Sequence, residues 1–166
     1  MAVTASTTVP ASVEQVVVTF RDEGFIRHVT HRAGATLESV DVDGDVEARF
    51  TVTTVRAMDA AKLPEMARKF VGSSVRVTQV DRYADPDAEG VRVVSTEIQV
   101  ASLPVSGTAT QRLSPQGEHT EVHVECVVQA NIPFVGKQIA AAAEPFVSKA
   151  ISLQSQEAQA WLADRA

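Results

Sequence analysis

The 166-residue chain is 45% apolar and 22% charged, proportions of a globular domain that exclude a disordered polymer. Its 15 Lys and Arg stand against 21 Asp and Glu, and the net charge of −6 has the wrong sign for a nucleic-acid or anionic-membrane binder. No apolar run approaches the roughly 20 residues of a membrane span. MAVTASTTVPASVEQ lacks a signal-peptide pattern, and the single Cys126 forbids an internal disulfide, so one cytoplasmic domain over residues 1–166 is expected.

Residues 2–9 are rich in β-branched types and read as a strand that Pro10 ends. Ser12-Val-Glu-Gln15 is a capping-box pattern, followed by Val13, Val16, Val17 and Phe20 at helical spacing. Asp22 suits the cap of a second short helix with Phe25, Ile26 and Val29 on its buried side and Gly34 as its stop. From residue 35 the period becomes two. Segments 36–42 and 45–56 flank Asp43-Gly44, a dipeptide suited to a tight hairpin turn, with Val46, Ala48, Phe50 and Val52 on one face. Within 57–73, Pro64 suits a first helical turn, Met66 and Phe70 share a face, and Gly72 can close the helix. With Met58 and Leu63 this segment is either a gate over a pocket or a static cover anchored by Phe70 and Val71.

Strands follow at 74–84, 91–101, 105–113 and 119–130, joined mostly by short turns, as in an antiparallel meander. In the last, Val122, Val124, Cys126 and Val128 alternate with outward Glu121, His123 and Glu125. The tail from Val135 to Ala163 carries one apolar stripe of Ile139, Ala143, Phe146, Ala150, Leu153 and Trp161, with Val147, Ile151, Ala158 and Leu162 beside it, a face that must cover a sheet. Pro145 removes one intrahelical hydrogen bond and is expected to bend it.

Strand, two helices, six antiparallel strands and a long final helix resemble the helix-grip fold of the START and birch-pollen-allergen-like superfamily (SRPBCC), an α+β architecture. The segments VPASVEQV, LPEMARKFVG, VSGTATQRL and IPFVGKQIAAAAEPFVSKAISLQSQEAQAWLA resemble an uncharacterised bacterial branch of it. The resemblance implies a curved sheet of about seven strands gripping the C-terminal helix. It also implies an apolar cavity between them, taking lipids, sterols, polyketides or other apolar small molecules. It carries no catalytic motif.

The residues themselves offer little chemistry. His28 and His31 lack a completing metal-ligand set, Cys126 sits in an apolar row, and no phosphate-binding glycine loop opens a helix, so neither metal nor cofactor is expected. The expected cavity wall is Phe50, Val52, Val94, Ile98, Val122 and Val124 facing Phe146, Ala150 and Leu153. Gln79, Asp81, Tyr83, Thr96 and Gln111 are the polar groups able to orient a ligand there. Strand 74–84 leaves two phases open, since one residue of slip would turn Gln79 and Asp81 to water. Glu157, on the buried stripe, reads as an ion-pair partner of an Arg or as a desolvated acid.

Three functions follow. The favoured one is binding or transport of an apolar small molecule without catalysis. The others are an enzyme resembling polyketide cyclases and dehydratases, with Asp81 and Tyr83 as acid and base, and an interaction module with a filled core. The expected partner is an apolar small molecule, with no nucleic acid and no integral membrane association.

Overall fold

The computed structural model describes residues 2–63 and 65–165. Strand β1 (Ala2–Val9) leads into helices α1 (Val13–Arg21) and α2 (Glu23–Arg32). Next come β2 (Ala35–Gly44) and β3 (Phe50–Asp59), then a 3-10 turn at Ala60–Lys62 and the four-residue α3 (Glu65–Arg68). Strands β4 (Ser74–Tyr83), β5 (Arg92–Val100), β6 (Val105–Gln116) and β7 (His119–Ala130) precede the long α4 (Gly136–Asp164). The strands form one antiparallel, curved sheet in the order β1-β7-β6-β5-β4-β3-β2. This is the α+β helix-grip arrangement that the periodicity and the resemblance imply.

Local chemistry starts the helices where the spacing predicts. The Gln15 backbone N–H donates to Ser12 Oγ at 3.2 Å, and Gln15 Oε1 accepts from the Ser12 N–H at 3.0 Å, which completes the capping box. Asp22 ends α1 and caps α2 in one step, its carboxylate accepting from Phe25 N–H at 2.9 Å. Gly34 then turns the chain with φ at +79°, a conformation that suits glycine.

Two expectations are corrected. Asp43-Gly44 is not a two-residue turn. Gly44 pairs with Phe50, and the loop is 45–49, so Val46 and Ala48 leave the strand. Asp45 explains this: its N–H reaches Arg49 O at 3.0 Å and its carboxylate takes the Glu47 N–H. Arg92, 5% exposed, reaches across from β5 and donates to the carbonyls of Ala48 at 2.7 Å and Ala84 at 2.9 Å. Second, Phe70 does not anchor segment 57–73; it is 40% exposed, and Ala60 and Ala67 are the buried residues described there. The expected helix is only a 3-10 turn and α3, with Pro64 and the Met66 side chain outside the described residues.

The final helix turns its expected apolar face to the sheet and the short helices. Ile139, Ala140, Ser155 and Ala158 are its deepest residues, while Phe146 is half exposed. Its C-terminal half is locked onto α2. Trp161 meets Phe25 edge to face at 5.6 Å, and Phe20 stacks on Phe25. Glu157 accepts from Arg32 Nε at 2.7 Å and lies 3.2 Å from His28 Nε2, so it is an ion-pair partner linking α4 to α2.

The hydrogen bond from Arg32, with that from His28, holds the Glu157 carboxyl below the ordinary glutamate range. The stabilisation it confers is therefore present above that range and lost as pH falls through the lowered value. Glu157→Gln should cost about 1 kcal/mol at neutral pH, the scale of a half-exposed pair. Urea unfolding at neutral and acidic pH checks this: the deficit should shrink toward zero at the acid end.

Candidate functional site

The register divides the inner face of the sheet into rows. Phe50, Tyr83, Val94, Gln111 and Val124 are cross-strand neighbours, and Arg92, Leu113 and Val122 form the row beyond. These rows pack against Phe20, Phe25, Val16 and Val17 of the two short helices, and against Ala158. Tyr83 stacks on Phe50 with ring centroids 4.3 Å apart. This half of the grip is solid.

Toward the other end, the row Thr54, Gln79, Ile98, Gly107 and Val128 has a glycine near its middle. Here the sheet and α4 separate. A cavity of about 270 Å³, partly open to solvent, lies between Val77, Gln79, Ile98, Val105, Gly107, Cys126 and Val128 below and Ile139, Ala143, Phe146, Val147 and Ala150 above. Met58, Lys62, Leu63 and Ala67 close one side, and Leu103 and Ser106 another. The walls are almost wholly apolar; Gln79, Ser106 and Lys62 are the principal polar side chains.

Between the two halves runs a partly buried polar chain. Arg56 Nε donates to Thr30 Oγ1 at 2.9 Å, and its Nη1 donates to Thr54 Oγ1 at 3.1 Å and to Gln79 Oε1 at 3.0 Å. Gln79 Nε2 donates to both Asp81 carboxylate oxygens, at 2.9 and 3.1 Å, and Thr96 Oγ1 donates to Asp81 at 2.6 Å. Thr30 in turn donates to Ile26 O, so the chain ties α2 to three strands. Burial raises the Asp81 carboxyl above its ordinary range, against the opposing pull of Thr96, Gln79 and the Arg56 charge. Burial lowers Arg56 and pushes the Tyr83 hydroxyl well up, the nearby Asp81 charge adding to the latter.

Strand β4 therefore takes the inward phase: Asp81 and Tyr83 are buried and Gln79 lines the cavity. Of the residues expected at the site, Gln79, Ile98, Phe146 and Ala150 surround the cavity. Phe50, Val52, Tyr83, Val94, Val122 and Val124 belong to the solid half. Asp81, Thr96 and Gln111 are buried, and Leu153 is half-buried. The sequence reading did not name Arg56 or Lys62. Arg56 was detectable, because it continues the parity of Phe50, Val52 and Thr54. Cys126 lines the cavity with its thiol raised by burial. Among the described residues no group of three or more His, Cys, Asp or Glu side chains suits a metal ion.

A sheet gripping a long helix over a cavity is the helix-grip fold, and solved structures share it. The Zhui aromatase/cyclase from Streptomyces sp. R1128 aligns with a TM-score of 0.61 at 15% identity, covering 99% of this chain and 94% of that one. A protein of Thermus thermophilus, TTHA0849, aligns at 0.59 with 17% identity, covering 96% and 98%. A truncated norcoclaurine synthase from Thalictrum flavum aligns at 0.55 with 11% identity, covering 98% and 92%. These identities speak for the fold alone. The family model described as "Protein of unknown function (DUF2505)" matches residues 4–162, and the chain belongs to that family. An uncharacterized protein of Mycobacterium tuberculosis (strain ATCC 25618 / H37Rv) is 23% identical over 132 residues, which cover 77% of this chain and 75% of the relative.

The polar chain makes a test of its own. Because the Asp81 value is raised, its stabilising contribution is fully present below the ordinary aspartate range and lost as pH rises through the raised value. Asp81→Asn should flatten that part of the stability curve. Arg56→Met should move the loss to higher pH and cost about 3 kcal/mol at neutral pH, since Asp81 then faces no cation. Urea midpoints across the pH range measure both.

Proposed function

We propose that this protein binds a small apolar molecule between the sheet and the first half of α4, without acting on it. The observation that carries the reading is the cavity: apolar walls, one glutamine and one serine to orient a ligand, and a partly open side. At about 270 Å³ it sits just under the roughly 300–1,000 Å³ typical of drug-sized ligands, which favours a body of one or two rings or a short chain. Among lipid-like, sterol-like and polyketide-like candidates, the smaller members fit best.

Binding is favoured over catalysis by what the titratable groups are doing. Both Asp81 oxygens are taken by Gln79 and Thr96, and Tyr83 is stacked on Phe50; neither residue lines the cavity. Acid–base catalysis needs such groups within reach of the reacting proton. A protein-interaction role with a filled core is disfavoured by the same cavity. The solitary reduced Cys126 accords with a cytoplasmic placement.

Prodan, an uncharged naphthalene fluorophore, tests the reading. It should bind saturably with a blue-shifted emission and slow the modification of Cys126 by an apolar maleimide. Ala143→Leu, which puts a side chain into the space, should weaken prodan binding at least about tenfold, on the scale of one blocked apolar body. Absence of saturable binding to the unmodified protein would count against the cavity as a ligand site.

A further inference from the structure

The whole-chain charge conceals a local one. All four lysines, Lys62, Lys69, Lys137 and Lys149, fall in two segments, 60–71 and 131–150, each of which contributes residues to the cavity wall. With Arg68 these segments carry five basic residues against two acidic ones, Glu65 and Glu144; the remainder carries ten against nineteen. The same segments hold all the exposed phenylalanines: Phe70 at 40%, Phe146 at 51% and Phe134 at 98%.

Each of these rings has a lysine beside it. Lys69 Nζ lies 5.4 Å from the Phe70 ring centroid. Phe134 and Lys137 line one surface hollow with Ile132, and Lys149 follows Phe146 by three residues on α4. Phe134 stands in the loop between β7 and α4 with φ at +68°, an unusual backbone for a bulky residue, and its ring is given entirely to solvent. Nothing in the core gains from that placement.

Aromatic rings paired with long cationic side chains are the chemistry of a membrane–water interface, where rings sit at headgroup level and lysines reach anionic phosphates. We propose that the face framing the cavity docks on an anionic lipid surface, with Phe134 as the leading inserted side chain and Lys69, Lys137 and Lys149 meeting the headgroups. The acidic remainder of the molecule is repelled by the same surface, so the charge asymmetry orients the cavity opening toward the lipid. The association is peripheral, since among the described residues no helix is long and apolar enough to cross a membrane.

Flotation of the full chain with vesicles tests this, using phosphatidylcholine alone and phosphatidylcholine mixed with phosphatidylglycerol. Partition should be at least about tenfold stronger on the anionic vesicles, and should weaken in high salt. Each of Lys69→Gln, Lys137→Gln and Lys149→Gln should lower it about fivefold. Phe134→Ser should lower it roughly tenfold, with urea midpoints confirming that the variant is folded. Arg49→Gln, on the β2–β3 loop and paired with Asp85, should leave it unchanged. Equal partition on both vesicle types, or partition indifferent to the lysines and Phe134, overturns the proposal. So does a concentration-dependent dimer that Phe134→Ser dissolves while vesicle partition stays the same. Prodan binding is read in parallel: loss of vesicle partition with prodan intact removes this surface alone, and the reverse removes the cavity reading alone.

Discussion

A half-buried guanidinium has to be answered, in charge and in hydrogen bonds, by whatever surrounds it, and the groups that answer Arg56 set the plan of this molecule. Thr30 holds it to α2, Thr54 and Gln79 hold it to the sheet, and Gln79 passes the interaction on to Asp81 and Thr96. On one side of this chain the aromatic residues of α1 and α2 fill the grip. On the other, α4 stands over the sheet with Leu63 and Ala67 at one side, and the strand residues there are mainly valine, isoleucine, cysteine and glycine. The polar chain is thus a partition: it anchors the solid half and gives the hollow half its glutamine. It also accounts for Asp81 in structural terms: its position follows from that anchoring role, and burial, opposed by the same hydrogen bonds, raises its protonation.

Much of the architecture was legible because it follows from local rules. The Ser12 capping box, the Asp22 cap and the strict alternation of Val122, Val124, Cys126 and Val128 each depend on residues close in sequence, and each stands where the pattern puts it. The β2–β3 connection was misread because the decisive contact is distant. Arg92, more than forty residues on, takes carbonyls in the loop and favours a wider turn than Asp43-Gly44 alone suggests. Segment 57–73 failed for a related reason: its apolar residues resemble a helix face, but among the described ones only the small Ala60 and Ala67 are buried.

The site was half legible. Strand parity identifies the inner face, so Gln79, Ile98, Phe146 and Ala150 could be named around the space. Parity does not reveal which end of that face is covered. That depends on where Phe20, Phe25 and Trp161 come to rest, and these fill the rows of Phe50, Tyr83, Val94 and Val124. The net charge is silent on placement, because a sum over the chain carries no information on where the lysines sit.

Gly107 stands in the middle of the hollow rows, where its neighbours across the sheet are Ile98 and Val128. A Cβ added there would lie 3.6 Å from the Val127 carbonyl oxygen and 3.7 Å from Ile98 Cβ, ordinary contact distances, and the glycine has no left-handed backbone to preserve. The fold therefore does not demand glycine at this position. The dimensions of the chamber are in that sense detachable from the scaffold: side-chain size at 107 can change by small increments while the partition, the helix locks and the sheet register stay as they are. Relatives built on the same frame can then differ in what they hold without differing in how they fold.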